Sequence, residues 1–253
     1  MYAVTRSRLG DHREGKALGA KTALLAYTAG DPVESLRHAG ELDPVATRAL
    51  VMATHPGWDG EASSAGGLFY CYPPQGTVYA GSFPGIDILC DRDVMDYLPS
   101  EFPSRYLDAA AGRRVILHAM QSVTDQLAYA IWEKGSLVRS LALEPDDGIA
   151  ENIGDPLPFE EPYWAGGHPV GDGYPLPFHP LDLGEAALTA LFGFIIEGRR
   201  QPEDLDPEAV RLAGFAVPPE HRVTKDMVAE FMRTAKHTRW RFGPDGRLIE
   251  VEG

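Results

Sequence analysis

The pattern of apolar and polar positions gives its clearest signal in the middle of the chain, in RRVILHAMQSVTDQLAYAIWEKGSLVRSLAL, where apolar runs are divided by short polar segments. Three runs rich in β-branched and aromatic residues follow one another between residues 115 and 143, separated by short turn-forming segments. Lys134-Gly135 is typical of a tight hairpin turn. The pattern predicts three consecutive antiparallel strands that form the core of the fold.

Shorter apolar runs predict further strands, at residues 22–27, 68–72, 77–82 and 86–89. Helices are predicted after Asp31-Pro32 and Asp43-Pro44, because aspartate caps a helix and proline suits its first turn. Between these elements the glycine-, serine- and alanine-rich residues 58–67 indicate a loop, and a helical connection is expected over residues 92–110.

Helical periodicity returns near the end of the chain, where Leu188, Leu191 and Ile195 fall on one face. Asp182 and Glu185 approximate a capping box for this helix, and Gly198 is its predicted end. Further predictions are a short helix from Asp206-Pro207, a helix capped by Thr224 and a hairpin about Pro244-Asp245-Gly246. The element order predicts an α+β fold, mainly an antiparallel sheet with helices packed on it.

Residues 155–180 have no helix or strand period, yet they contain seven prolines and five aromatic residues. Proline restricts the unfolded chain, and aromatic side chains provide apolar area for anchoring, so we expect a long ordered loop and not a flexible linker. Long ordered loops within domains often carry function. We expect Trp164 to be at least half buried and the loop to form one wall of the principal pocket.

The chain carries 23 basic and 37 acidic residues, for a formal charge of −14. This charge repels phosphate backbones and anionic lipids, so neither nucleic acid nor a membrane is a predicted partner. The sequence has no signal peptide and no apolar run long enough to span a bilayer, which favours a cytoplasmic location. Cys71 and Cys90 have no metal-ligand spacing and are expected to be buried, reduced thiols. The oligomeric state stays open.

The loop also holds the residues that could carry chemistry. Its candidate binding residues are Glu160, Glu161, Tyr163, Trp164, His168 and His179. The histidine and carboxylate spacing matches no metal-site pattern, and ordinary turn residues explain it, so no metal is predicted. Nucleophile elbows and phosphate-binding loops are absent, so no catalytic residue is assigned and no cofactor is predicted.

Two polar residues fall within the predicted central strands. His118 lies between Ile116 and Met120 on one face, which favours a core histidine with satisfied hydrogen bonds over a site residue. Arg139 alternates with Leu137 and Leu141, and a cross-strand salt bridge or a snorkelling side chain accounts for it.

Three stretches carry a family resemblance: GAKTALLAYTAGDPVESL, SVTDQLAYAIWEKGSLVRSLALEPDDGIAENIGDPLPFEEPYW and YPLPFHPLDLGEAALTALFGF. They resemble a family of uncharacterised bacterial, actinomycete-type proteins that carries only a domain-of-unknown-function label, over Gly19 to about Phe215. The resemblance implies no activity. Because members of that family open just before the segment like GAKT, the resemblance implies that Leu18 is an alternative start. The first 17 residues have mixed charges and no apolar run, so residues 1–18 are expected to be a disordered extension. Residues 19–217 are then the main domain, and 218–253 add a C-terminal helix and hairpin.

Two functions stay open from the sequence. In the first, the protein is a binding or regulatory protein that presents the acidic, aromatic and proline-rich loop to a protein partner or a small ligand. In the second, it is a hydrolase or lyase that uses a carboxylate–histidine pair within residues 155–180. A cavity with that pair inside it favours the enzyme, whereas an exposed apolar patch with an acidic rim favours the binding protein.

Overall fold

The computed structural model describes residues 19–218, together with the backbone of residues 239–242 and 248–251. The chain divides into two compact units, residues 1–218 and 219–253. The described part of the first unit contains a nine-stranded sheet in which every neighbouring pair of strands is antiparallel. Its strands β1 to β9 are Lys21–Thr28, Ala62–Gly67, Thr77–Phe83, Ile86–Cys90, Arg114–Gln121, Gln126–Glu133, Ser136–Glu144, Gly148–Ile153 and Arg211–Ala216.

Helices make up a smaller part of the unit. Helices α1 to α5 are Pro32–Arg37, Pro44–Thr54, Ser104–Asp108, Glu161–Trp164 and Pro180–Phe192. The strand order across the sheet is β2-β9-β3-β4-β1-β5-β6-β7-β8, so β2 and β8 are its two edges. In the second unit, Arg239–Phe242 (β10) pairs antiparallel with Leu248–Val251 (β11).

Both faces of the sheet are buried around its central strand, β1. Leu25 and the β5 residue Leu117 belong to one core cluster, which also contains Val51 of α2. The alternate residue Leu24 belongs to the other, with Leu188 of α5. Because successive side chains of a strand point to opposite faces, a strand covered on both sides is apolar at almost every position.

The predicted three-strand core is confirmed, since β5, β6 and β7 are consecutive antiparallel neighbours. Lys134 and Gly135 both have positive φ, 50° and 80°, as a two-residue hairpin turn requires. The predicted helix starts at Asp31 and Asp43 are also confirmed, because each carboxylate accepts backbone N–H groups of the first turn.

Several predicted elements were wrong. Residues 62–67 form strand β2 and not a loop, and Leu68–Tyr70 is a 3-10 helix where a strand was predicted. Strands β8 and β9 had no counterpart in the prediction, and Asp206-Pro207 forms a turn where a helix was expected. The expected helix over 92–110 is broken into two 3-10 turns and α3, because Pro99 and Pro103 interrupt helical hydrogen bonding.

Helix α5 confirms the predicted helix but not its ends. It begins after His179, whose Nδ1 accepts the N–H of Leu181, and not after Asp182. It ends at Gly193, whose left-handed φ of 80° stops the helix before Gly198. Glu185 accepts the N–H groups of residues 196 and 197 instead of capping the start.

Some predictions lie outside the described residues: the N-terminal extension 1–18, the helix capped by Thr224 and the turn at Pro244-Asp245-Gly246. The strands on either side of that turn, β10 and β11, pair as the predicted hairpin requires. In the described part of the chain, no helix combines the length and apolarity that crossing a membrane requires.

Candidate functional site

Residues 155–180 connect β8 to α5 and pack on the face of the sheet formed by β5, β6 and β7. Tyr163, Leu176 and Phe178 are buried in a cluster with Leu127 and Leu141 of these strands. Trp164 is partly buried, and its ring meets that of Phe178 edge to face, with 4.9 Å between centroids. The predictions of an ordered loop and of a Trp164 more than half buried are therefore confirmed.

The loop begins at an ion pair enclosed by the protein. Arg139 of β7 is 2% exposed and Glu160 is 0% exposed. Two bonds join them: Arg139 Nε donates to Glu160 Oε1 at 2.8 Å, and Arg139 Nη2 donates to Oε2. Such a bidentate contact is the geometry that a guanidinium and a carboxylate favour.

Neighbouring groups use the remaining donors and acceptors of the pair. Arg139 Nη1 donates to Asn152 Oδ1 at 2.7 Å, which brings in strand β8. Glu160 accepts the backbone N–H of Leu157 at 2.9 Å and the indole N–H of Trp164 at 3.1 Å. The pair therefore joins β7, β8, the start of the loop and helix α4 in one network.

Both members of the pair are held in their charged forms. Burial alone would raise the pKa of the Glu160 carboxyl, but the hydrogen bonds from Arg139, from the Leu157 amide and from Trp164 outweigh it and lower that pKa. Burial would likewise lower the pKa of Arg139, and the contact with Glu160 reverses this and raises it. The network therefore stays ionised while shielded from solvent.

These contacts change the interpretation of three predicted binding residues. Glu160 was predicted to be a binding residue, yet it is fully enclosed and bound to Arg139. Tyr163 is buried, and its hydroxyl donates to the backbone oxygen of Asp182 at 2.9 Å. Trp164 directs its N–H inward to Glu160. These side chains anchor the loop, and they do not form the exposed apolar patch that the sequence left open.

The solvent-facing part of the loop is residues 165–173, which we call the exposed segment; only Val170 within it is partly buried. Gly166 and Gly173 adopt positive φ near its two ends, at 78° and 88°. His168 lies on this segment, and its ring stacks on Tyr163 with 4.0 Å between centroids and 11° between planes. Glu161, next to the segment, is also exposed.

His179 lies beyond the exposed segment and contacts a residue from outside the loop. Its Nε2 lies 3.5 Å from Asp125 Oδ2 in the β5–β6 turn, and its ring stacks on Tyr174 at 5.7 Å. Burial, followed by the charges of Asp125 and Asp182, raises the pKa of Tyr174. The sequence did not indicate these two acids, because Asp125 is 54 positions from His179 and a turn aspartate has no distinguishing pattern.

The structure does not bring a carboxylate and a histidine of the loop together. Among the described residues, no loop carboxylate lies within ion-pair distance of His168 or His179. Both ring nitrogens of His179 are engaged, one by the Leu181 N–H and the other by Asp125. The described part of the chain also has no group of three or more histidine, cysteine or acidic residues that could hold a metal ion.

A second histidine–carboxylate contact lies on the other face of the sheet. His55 Nε2 is 3.2 Å from Asp91 Oδ2, and the Tyr106 hydroxyl donates to the same oxygen at 2.6 Å. Burial would raise the pKa of Asp91, but the hydrogen bonds from His55 and Tyr106 lower it. His55 Nδ1 lies 3.0 Å from Thr54 Oγ1 and 3.3 Å from the backbone oxygen of Val51, so both ring nitrogens have hydrogen-bond partners within the protein.

His118 is the core histidine that the sequence predicted. It is fully buried, its Nδ1 lies 2.7 Å from Thr22 Oγ1, and its Nε2 lies 2.8 Å from the Gly184 carbonyl. Burial lowers the pKa of His118 to about 4, so the ring is neutral near neutral pH. It therefore joins β1, β5 and α5 and takes no part in an accessible site.

The principal cleft of the described residues has a volume of about 570 Å³ and lies at the ends of the central strands. The β1–α1 turn, the β6–β7 hairpin and the residues leading into β5 line it, including Thr28, Arg113 and Lys134. No residue of 155–180 contributes, so the prediction that the loop forms its wall was wrong. The loop lies against the sheet face, where its aromatic side chains fill the space they enclose.

Comparisons with known proteins give one finding. No curated protein and no solved structure matches the chain. A family model described as "Family of unknown function (DUF6928)" matches residues 22–215, which confirms the family resemblance seen in the sequence. This match covers most of the chain and all nine strands of the large sheet except the first residue of β1 and the last of β9. The chain therefore belongs to the DUF6928 family of unknown function.

Proposed function

We propose that this is a binding protein that presents the exposed segment, residues 165–173, and the acidic side chains around it to a cationic partner. The observation that carries the proposal is the contrast between the two parts of the loop. Its anchors, Glu160, Tyr163 and Phe178, are buried, whereas the exposed segment between Tyr163 and Phe178 faces solvent. A surface loop fixed at both ends is a common way to position binding residues.

The buried ion pair supports a positioning role. Removing two charges from water costs several kcal/mol, and their mutual attraction often only compensates for that cost. Well-packed apolar residues of similar volume are often at least as stabilising as a buried ion pair. What the pair adds is a directional, hydrogen-bonded attachment that fixes where α4 and the exposed segment lie.

The charge around the segment supports a cationic partner. Glu161, Asp172 and Asp182 are exposed and have no basic partner among the described residues. The whole chain has a formal charge of −14, which attracts cations over a longer range and accelerates their encounter. Since the principal cleft contains no residue of the segment, a basic protein segment suits this surface better than a small ligand does.

We also propose a cytoplasmic location. Cys71 and Cys90 are both free and both buried, and they form no disulfide. Free thiols of this kind suit the reducing conditions of the cytoplasm.

The binding proposal is tested by neutralising the acids near the segment in the full chain. The variant combines Glu161→Gln, Asp172→Asn and Asp182→Asn. The probe is an immobilised peptide of about ten alternating lysine and serine residues at about 50 mM salt, where surface charge is weakly screened. At 0.2–1 kcal/mol for each exposed charge, we expect the three changes together to weaken binding by about tenfold.

A matched control removes the same number of charges elsewhere. It combines three exposed acids outside the loop: Glu41→Gln, Glu101→Gln and Asp108→Asn. The control makes the net charge less negative by the same amount, so it reports the contribution of the long-range field alone, and we expect a change in affinity of at most about twofold. Equal weakening in both variants would contradict a dedicated surface at the loop.

A further inference from the structure

Strand β2 forms one edge of the large sheet, and among the described residues nothing pairs with its outer side. On its inner side it pairs with β9. Its residues, Ala62–Gly67, carry no charge, and the first four are exposed. Natural proteins usually protect such an edge with charged residues, proline or a covering element. Strand β2 has no charged residue and no proline. It has a bulge between Ala62 and Ser64, which is another way in which proteins protect an edge.

A pocket of about 460 Å³ adjoins this edge. The C-terminal half of β2 and three aromatic side chains line it: Phe69, Tyr70 and Tyr79. The rings of Phe69 and Tyr70 are perpendicular, with 5.4 Å between centroids, and Tyr70 is 61% exposed. A Cβ at Gly66 would lie 2.6 Å from the Tyr79 ring, so glycine is needed there for that ring to lie against the strand.

Two charged residues complete the pocket lining, Glu208 and Arg211. Both are exposed, and neither has an ion-pair partner among the described residues. The pocket therefore offers aromatic faces, one free carboxylate and one free guanidinium beside unpaired backbone groups.

We propose that the β2 edge binds an extended peptide segment of a partner as an additional strand, with a lysine or arginine side chain of that segment in the aromatic pocket. Main-chain hydrogen bonds to an open edge provide affinity, and pockets for alternate side chains provide specificity. Aromatic faces attract cations, Glu208 offers them a counter-charge, and the −14 charge of the chain draws a basic segment towards it.

This surface is separate from the one proposed for the loop. The loop packs on β5, β6 and β7, and β2 lies at the far edge of the sheet, five strands from β5. The two proposals therefore succeed or fail independently.

The first test measures which peptides bind the full chain. The probe is an end-blocked peptide of about nine alternating valine and threonine residues with a central lysine, compared with the same peptide carrying norleucine or glutamate there. We expect the lysine peptide to bind about tenfold more tightly than the norleucine peptide, and the glutamate peptide to bind most weakly. Methylating alternate backbone nitrogens of the lysine peptide, on its strand-pairing side, should abolish binding, because it removes the donors that an added strand uses.

The second test changes the pocket. Glu208→Gln should remove most of the preference for lysine over norleucine, and Arg211→Gln should increase it, because one change removes the attractive charge and the other the repulsive one. Both residues are exposed, so folding is expected to be unaffected, and equal melting temperatures verify this. The loop variant Glu161→Gln/Asp172→Asn/Asp182→Asn should bind the lysine peptide within about twofold of the native chain.

Three results would overturn the inference. Equal affinity for the lysine and glutamate peptides would rule out a cation-selective pocket. Undiminished binding of the N-methylated peptide would rule out binding by strand addition. A dimer of the full chain in solution that Ser64→Lys dissociates, without any peptide binding, would assign the edge to a second copy of the chain.

Discussion

The interior of this protein contains a complete ion pair, and the roles of its two residues follow from that burial. Arg139 donates hydrogen bonds to Glu160, to Asn152 and to backbone oxygens of β7 and of the end of β8. Glu160 in turn accepts from the loop and from α4. A charge left in such a place without its partner cannot be solvated, so each residue requires the other.

Replacing Glu160 with glutamine should therefore lower the free energy of unfolding by about 3–5 kcal/mol, because Arg139 would keep a buried charge without a counter-charge. Urea denaturation followed by tryptophan fluorescence measures this loss. Glu161→Gln is the matched control, since Glu161 is exposed and its change should stay within about 0.5 kcal/mol. The double variant Arg139→Met/Glu160→Met should lose less free energy of unfolding than the single variant Glu160→Met does. A loss in the double variant equal to the sum of the losses in Arg139→Met and Glu160→Met would refute the coupling.

At the scale of the elements, the sequence predicted the strands and turns that depend on local sequence pattern. The β5–β7 meander has apolar runs rich in aromatic and β-branched residues, and a turn whose residues adopt positive φ. Strand β2 consists of alanine, serine and glycine, which have little preference for strands. It is a strand because β9 pairs with it, and that partner begins 144 positions after Gly67. No local signal could reveal that contact.

The candidate site shows the same limit. An ordered loop anchored by Tyr163, Trp164 and Phe178 was predictable, because its many prolines restrict the unfolded chain and its aromatic residues provide apolar area for packing. The enclosure of Glu160 was not, since the sequence of the loop contains no cation and Arg139 is 21 positions away. Likewise, the contact between His179 and Asp125 depends on where α5 crosses the sheet.

The end of α5 provides a test at this scale. Gly193 has a φ of 80°, and a Cβ there would lie 2.6 Å from Val33 Cγ1 of α1. Gly193→Ala should therefore destabilise the protein by about 2–3 kcal/mol, about 1 kcal/mol for the left-handed backbone and the rest for crowding against Val33. Thermal or urea unfolding measures the change.

Gly173→Ala separates these two contributions. Gly173 also has a positive φ, 88°, but nothing lies within 4 Å of a Cβ placed there, so its change reports the backbone cost alone. Adding Val33→Ala to Gly193→Ala should restore part of the lost stability. Equal losses in Gly193→Ala and Gly173→Ala would mean that α1 and α5 do not constrain each other at this contact.

At the scale of the whole described unit, the sheet organises the protein, and its centre is where the two thiols lie. Cys90 of β4 is opposite Leu24 of β1, and the backbone oxygen of Cys71 accepts the N–H of Ala23. Both cysteines are fully buried against a face that α1 and α5 cover. Access to either thiol therefore requires the helices to leave the sheet or the sheet to open.

We expect both thiols to react with an aromatic disulfide reagent only through global unfolding. Burial raises the pKa of Cys71 to about 12 and raises that of Cys90 well above its usual value, so neither is a thiolate at about pH 8. In the single-cysteine variants Cys71→Ala and Cys90→Ala, the free energy of opening obtained from labelling rates should equal that from urea denaturation. Introducing Glu160→Gln into each should accelerate labelling by the same factor, at least about 100-fold for a loss of 3 kcal/mol. If Cys71 instead labels rapidly under native conditions while Cys90 does not, residues 68–76 open locally, and the central strands are not a single cooperative unit.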